Sequence, residues 1–226
     1  TDSGGTDQSN GAVYSRLWEL FHRTMNDAKK AEWIFFHLHC KTVGYHNDMY
    51  PPSAQGQARE VPVQDQVDEY EVIGPDGYGY PIYALKQNHK ALYGSLISEQ
   101  DMAKAYDDGN PYVNRDPRFY RDIIYHGSMF KGKWINTATG ADAINAANST
   151  STGYFTRKYF DGYYTKGMSG NWNFDAPLIR LATIYLVYAE AVTRSKGATP
   201  EVYNLMNELR ARSFMAPIPP AAQTNK

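Results

Sequence analysis

Between Pro177 and Pro219 the apolar positions recur at helical spacing, and they do so on two adjacent stripes. Leu178, Leu181, Tyr185, Tyr188 and Val192 form the first stripe; Ile179, Ala182, Leu186 and Ala189 form the second. Two stripes on one helix predict an element sandwiched between neighbours. Asp175 fits the N-cap with Pro177 in the first turn, Arg194 and Lys196 complement the C-terminal dipole, and Gly197 suits the position just past the end. Thr199-Pro200-Glu201 then opens a second helix, with Thr199 at the N-cap and Val202, Leu205, Met206 and Leu209 on its apolar face. So short a connection makes the pair an antiparallel hairpin, the unit of helical repeat arrays.

Upstream the pattern is less regular. Val13–Asn26 reads as an amphipathic helix through Val13, Leu17, Leu20 and Phe21, and Trp33–His39 as a short strand. From Gly44 to about Gly94 the text is rich in Pro, Gly, Asp and Tyr, with short helices expected at Pro62–Tyr70 and Glu99–Asp107. Tyr120–Tyr125 and Tyr154–Tyr159 are expected strands. The chain is thus expected to be mainly α, organised as a linker or loop over 1–12, a helix over 13–27, a loop and short-strand elaboration over 28–174 and a helix hairpin over 175–213. Long irregular stretches in a folded domain point to function carried on loops.

Charge and composition narrow the possible functions. A net charge of −1 and pI near 6.6 give no basic face for nucleic acid. The sequence has no apolar run of the roughly 18 residues that a membrane helix needs. The 226 residues include 19 Tyr, 4 Trp and 9 Phe, yet mean hydropathy is −0.60. Aromatics in so polar a chain suit a surface that binds carbohydrate or peptide. The single cysteine, Cys40, excludes an internal disulfide.

Reactive constellations are weak by comparison. His37, His39 and Cys40, with His46 nearby, resemble metal ligands, but a strand sends Cys40 to the face opposite the two histidines, so no metal site is expected. Asp107-Asp108-Gly109-Asn110 lacks the alternating ligands and closing Glu of a calcium loop and reads as a turn. No paired carboxylates, nucleophile elbow, zinc-helix motif or phosphate loop stands out, so neither catalysis nor a cofactor is expected. Asn148-Ser149-Thr150 is a sequon by pattern only. Aromatic loops remain: Tyr78–Tyr83, the Lys131-Gly132-Lys133-Trp134 turn and Phe160–Phe174. Sugar rings stack their C–H faces on aromatic rings while their hydroxyls bond polar groups, which selects Trp134, Trp172, Tyr163 and Tyr80 as stacking residues, with Asn171 and Lys133 as polar partners.

Several blocks carry a family resemblance. Glu32-Trp33-Ile34-Phe35, then Pro62, Val67-Asp68 and Tyr70-Glu71 with Asp76-Gly77, come first. Asn114-Arg115-Asp116-Pro117-Arg118-Phe119-Tyr120 with Ile123-Ile124-Tyr125 follows, then Thr152-Gly153-Tyr154 with Arg157-Lys158-Tyr159. Arg180 with Ile184-Tyr185-Leu186 and Tyr188-Ala189-Glu190-Ala191, and Asn207 with Arg210 and Arg212, close the series. In this order they resemble the SusD/RagB family. That resemblance implies a SusD-like, TPR-like helical scaffold bearing a loop-and-strand binding surface. It implies a surface-exposed outer-membrane lipoprotein that captures oligosaccharides, or in some members peptides, for a SusC-like TonB-dependent transporter. A non-catalytic scaffold that binds only the transporter is the rival. The chain is expected to be the middle and later part of such a protein, without the family's earlier helices, final helix pair and N-terminal lipid anchor. Two positions depart from the pattern: Ala182-Thr183 stands where Ala-Glu is usual, and Phe214 where a glycine is usual. Phe214 is not suited to a left-handed cap, so the second helix is expected to end differently or to bury Phe214 against the first.

Overall fold

In the computed structural model, which describes residues 32–41, 45–82, 97–158 and 173–224, the elements run in this order. They are β1 (Trp33–Lys41), α1 (Tyr45–Met49), a 3-10 turn (Pro52–Ala54), α2 (Gln64–Asp68), β2 (Val72–Ile73), β3 (Gly79–Tyr80), α3 (Glu99–Ala105) and α4 (Pro117–Asp122). There follow β4 (Ile123–Ile124), β5 (Met129–Phe130), β6 (Lys133–Trp134), β7 (Phe155–Thr156), β8 (Asn173–Arg180), α5 (Leu181–Lys196), α6 (Pro200–Arg212) and α7 (Pro220–Thr224). Helices hold more of the described residues than strands do. The expected helix at Val13–Asn26 lies outside the described residues. The chain divides into two units, Thr1–Val67 with Tyr120–Arg180, and Asp68–Phe119 with Leu181–Lys226.

Among its described residues the first unit contains three antiparallel pairs, β1–β8, β4–β7 and β5–β6. Pairing β8 with β1 overrides the helix start expected at Asp175 and Pro177. Pro177 instead stands opposite Phe36, in a two-stranded ribbon where its missing N–H is tolerated at an edge. Arg180 meets Glu32 at 3.3 Å across the same ribbon. The core gathers Met49, Tyr50, Ala58, Ile124, Phe130, Ile135 and Phe155. Tyr50 and Phe130 meet edge-to-face with centroids 5.1 Å apart. The chain returns past Tyr50 so closely that a Cβ on Gly56 would lie 1.9 Å from the Tyr50 carbonyl oxygen, so only glycine fits. Expected strands are shorter than their apolar runs: Tyr120–Asp122 belongs to α4, and among the described residues of the later run only Phe155–Thr156 pairs.

In the second unit Val72, Ile82 and Ala105 pack together. Arg115 is buried beside them, its guanidinium 4.6 Å over the Phe119 ring and its amines donating to the Pro111 and Tyr70 carbonyls at 2.9 Å. Asp116 caps α4 by accepting from the Arg118 amide at 2.8 Å, with Pro117 in the first turn. Burial draws the Arg118 pKa down, but the Asp116 carboxylate beside it outweighs that and holds it above its usual value.

α6 forms as read: Thr199 accepts from the Val202 amide and Pro200 opens the helix. Gly197, with φ of 80°, ends α5, its amide donating to the Thr193 carbonyl at 2.9 Å. Two expectations fail here. α5 is packed on one side only: Ala182 and Ala189 are buried, whereas Ile184, Leu186, Val187 and Tyr188 are exposed. Phe214 does adopt the left-handed conformation, with φ of 59°, and its side chain is exposed. The Met215 amide reaches the Arg210 carbonyl and the Phe214 amide the Ala211 carbonyl, both at 3.0 Å, which is a Schellman ending built without glycine.

Candidate functional site

Alternating burial explains why a two-residue turn projects a tryptophan. In Met129-Phe130-Lys131-Gly132-Lys133-Trp134, Phe130 enters the core of the first unit and pairs with Lys133, while Met129 pairs with Trp134. Lys131 and Gly132 both take positive φ, 50° and 72°, the geometry that joins a tight hairpin. The ladder continues through the Ile135 amide to the Ser128 carbonyl and the Gly127 amide to the Ile135 carbonyl. With Phe130 and Ile135 buried, Trp134 is turned outward and is 69% exposed. Leaving an indole largely in water forgoes roughly 2 kcal/mol of burial.

The hairpin is tied down by one backbone residue. Lys133 Nζ donates to the Ser53 carbonyl at 2.9 Å, and the Ser53 amide donates to Asp142 Oδ1 at 2.8 Å. Lys131 Nζ lies 4.9 Å over the Tyr50 ring. Asp142 is buried, and it anchors the loop that follows the hairpin. That loop is further fixed by Thr137, whose amide donates to His126 Nδ1 at 3.1 Å, and by Asn136, whose side-chain Oδ1 accepts from the Ala138 and Thr139 amides at 3.0 Å. The result is an aromatic plate on a backbone held at both ends. Ser53 and Asp142 escaped the sequence reading because 89 residues separate them and neither lies in a recognisable motif.

Tyr80 is a correction. Gly74–Tyr80 forms a hairpin, β2 against β3, but Tyr80 is 1% exposed and its hydroxyl donates to Asp76 at 2.6 Å. Burial, reinforced by that bond, pushes its pKa well up. A ring enclosed on both faces offers nothing to a sugar, so Tyr80 is a core residue. Trp172, Tyr163 and Asn171 lie outside the described residues. The side chains of His39, Cys40 and His46 lie there too. Among the described residues no three His, Cys, Asp or Glu side chains gather, and no helix is long and apolar enough to cross a membrane.

The motif residues have structural partners. Arg210 bonds Glu71 at 2.9 Å and the Ala216 carbonyl at 2.7 Å, and Asn207 accepts from the Ile218 amide at 2.8 Å. Gly79 packs so close to this pair that a Cβ there would sit 2.1 Å from the Glu71 carboxylate. Arg157 donates its amide to the Asp122 carbonyl, and burial holds the neighbouring Lys158 amine below its usual pKa against the opposing pull of Asp122.

A family model described as the SusD family matches residues 25–226. The fold is similar to that of a SusD-like carbohydrate binding protein from Bacteroides fragilis, with TM-score 0.64 and 20% identity over 90% of this chain and 37% of that one. A second SusD-like protein from Bacteroides fragilis gives TM-score 0.59 and 23% identity over 93% of this chain and 41% of that one. The chain therefore spans about two fifths of the length of these structures. No curated protein matches it.

Proposed function

Because the chain belongs to the SusD family, we propose that it forms part of a non-catalytic, surface-exposed outer-membrane protein that captures oligosaccharides for import through a SusC-like TonB-dependent transporter. The observation that carries this reading is Trp134, the most exposed of the large hydrophobic residues described, on a hairpin anchored by Phe130, Ile135 and the Ser53 bonds. One sugar ring stacks on the indole, and Lys133 supplies donors to a neighbouring unit of the chain. Trp172, Tyr163 and Asn171 are proposed as further ligand contacts. The α5–α6 hairpin serves as a unit of a TPR-like scaffold. The carbohydrate-binding description of a structural relative at 20% identity agrees with this reading.

Titration of tryptophan emission with a panel of host and plant oligosaccharides tests it. Saturable change with one glycan class, lost in Trp134→Ala, is the expected result. A response confined to peptides, or Trp134→Ala binding as the parent does, would overturn it.

The outward face of α5 favours a second reading, a scaffold that binds only its transporter. Val187 is 60% exposed and Ile184 46%. On that reading an Ile184→Ser, Val187→Ser double variant loses the transporter, and no glycan binds the parent.

A further inference from the structure

We infer that the saccharide bound at the Trp134 hairpin is acidic, bearing carboxylate or sulfate groups. The inference rests on the proposed glycan-binding role and names its ligand class.

Lys133 carries the argument. Its ammonium has three donors and gives one to the Ser53 carbonyl, a neutral acceptor. Among the described residues it meets no carboxylate, and the side chain is exposed. Its charge is held in place without being neutralised. From residue 123 to 156 the sequence contains one carboxylate, Asp142, against His126, Lys131 and Lys133. Asp142 is only 4% exposed, and its oxygen is taken by the Ser53 amide. The acid of this segment is thus withdrawn from the surface while Lys133 remains exposed at the hairpin.

Ser53 contributes to both arrangements. Its amide binds Asp142 and its carbonyl orients Lys133, so the ammonium is ordered before any ligand arrives. Pre-ordering of a long side chain lowers the entropy lost on binding. Successive residues of a strand point to opposite faces, so Trp134 and Lys133 do not grip one sugar. A ring stacks on Trp134, and the acid group of a neighbouring unit meets Lys133 across the edge of the narrow ribbon. The ligand is therefore an acidic oligosaccharide of at least two units rather than a lone acidic sugar. A neutral chain would leave the lysine charge without a counterpart.

Two matched pairs of probes test this with the full chain: oligogalacturonate against its methyl ester, and chondroitin sulfate oligosaccharide against its desulfated, carboxyl-reduced form. Tryptophan emission gives the affinities. One acidic member is expected to bind roughly ten-fold or more tightly than its neutral counterpart, the factor that a charge-assisted hydrogen bond provides. That preference should fall as salt is raised, vanish in Lys133→Met and survive in Lys133→Arg. Equal affinity for both members of a pair, lost in Trp134→Ala, would overturn the acidic-ligand inference and leave the glycan-binding role standing. Persistence of the preference in a folded Lys133→Met variant would also overturn it. Absence of any Trp134-dependent binding, with neutral oligosaccharides silent too, would remove the role on which it rests.

Discussion

Phe214 shows how a single residue can carry strain that its surroundings sustain. A non-glycine residue in the left-handed region costs about 1 kcal/mol or more, yet Phe214 holds φ of 59° because the Schellman bonds and the buried Met215 fix the chain on either side. Phe214→Gly is therefore expected to stabilise the protein by about 1 kcal/mol, read as a higher denaturant midpoint with an unchanged slope. Tyr80 makes the opposite case, a residue whose type invited a functional reading and whose burial removes it. Tyr80→Phe should cost about 1 kcal/mol through the lost Asp76 bond and leave oligosaccharide affinity unaltered. Weakened binding with intact stability would return Tyr80 to the site. Glycine frequency and aromatic content were legible in the sequence; which tyrosine faces water was not, since that depends on partners far along the chain.

At the scale of elements, the local signals read at the start of α6 and the end of α5 held, and local chemistry closes the start of α4 as well. Thr199-Pro200 starts α6, Gly197 ends α5 and Asp116-Pro117 starts α4. α3 begins with a similar device: Ser98 accepts from the Asp101 amide at 3.1 Å and donates to the Asp101 carboxylate at 2.7 Å. That bond, with a further one from Lys104, holds the Asp101 pKa below its usual value. A lowered folded pKa adds stability that is present above the unfolded pKa and is lost as pH falls through the folded one. Acidification below the ordinary carboxylate range is thus expected to fray the start of α3, seen as faster amide exchange at Asp101. Ser98→Ala should show that fraying at neutral pH. The element read least well was β8, where periodicity over Leu178 and Ile179 imitated a helix. A strand of β1's length was available to pair with it, and pairing is a tertiary event that no window of sequence displays.

At the scale of the whole molecule, the motif residues build the framework and the projecting aromatic does not belong to any motif. Arg210 reaches from α6 to Glu71 across 139 residues of sequence and also holds the Ala216 carbonyl. Removing one partner of a largely buried pair strands the other, so Arg210→Met should destabilise the second unit by about 3 kcal/mol. Hydrogen exchange should report the loss in α6 and around Glu71. The Trp134 hairpin contains none of these groups, and its oligosaccharide affinity is expected to persist under folding conditions. A Trp134 site that fails together with Arg210 would mean that the hairpin depends on this framework.

What the sequence determined by itself is the family, the existence of α5 and α6 with the end of the one at Gly197 and the start of the other at Thr199, the turn at Lys131-Gly132 and the aromatic character of the loops. Each of these depends on residues a few positions apart, or on a series of short blocks in a fixed order. The tertiary structure alone decided that Trp134 points to water and Tyr80 to the core, that α5 keeps one apolar face exposed, and that Ser53 joins Lys133 to Asp142. Those outcomes are set by burial and by hydrogen bonds between residues 80 to 90 apart, whose free energy exists only once the chain has closed on itself.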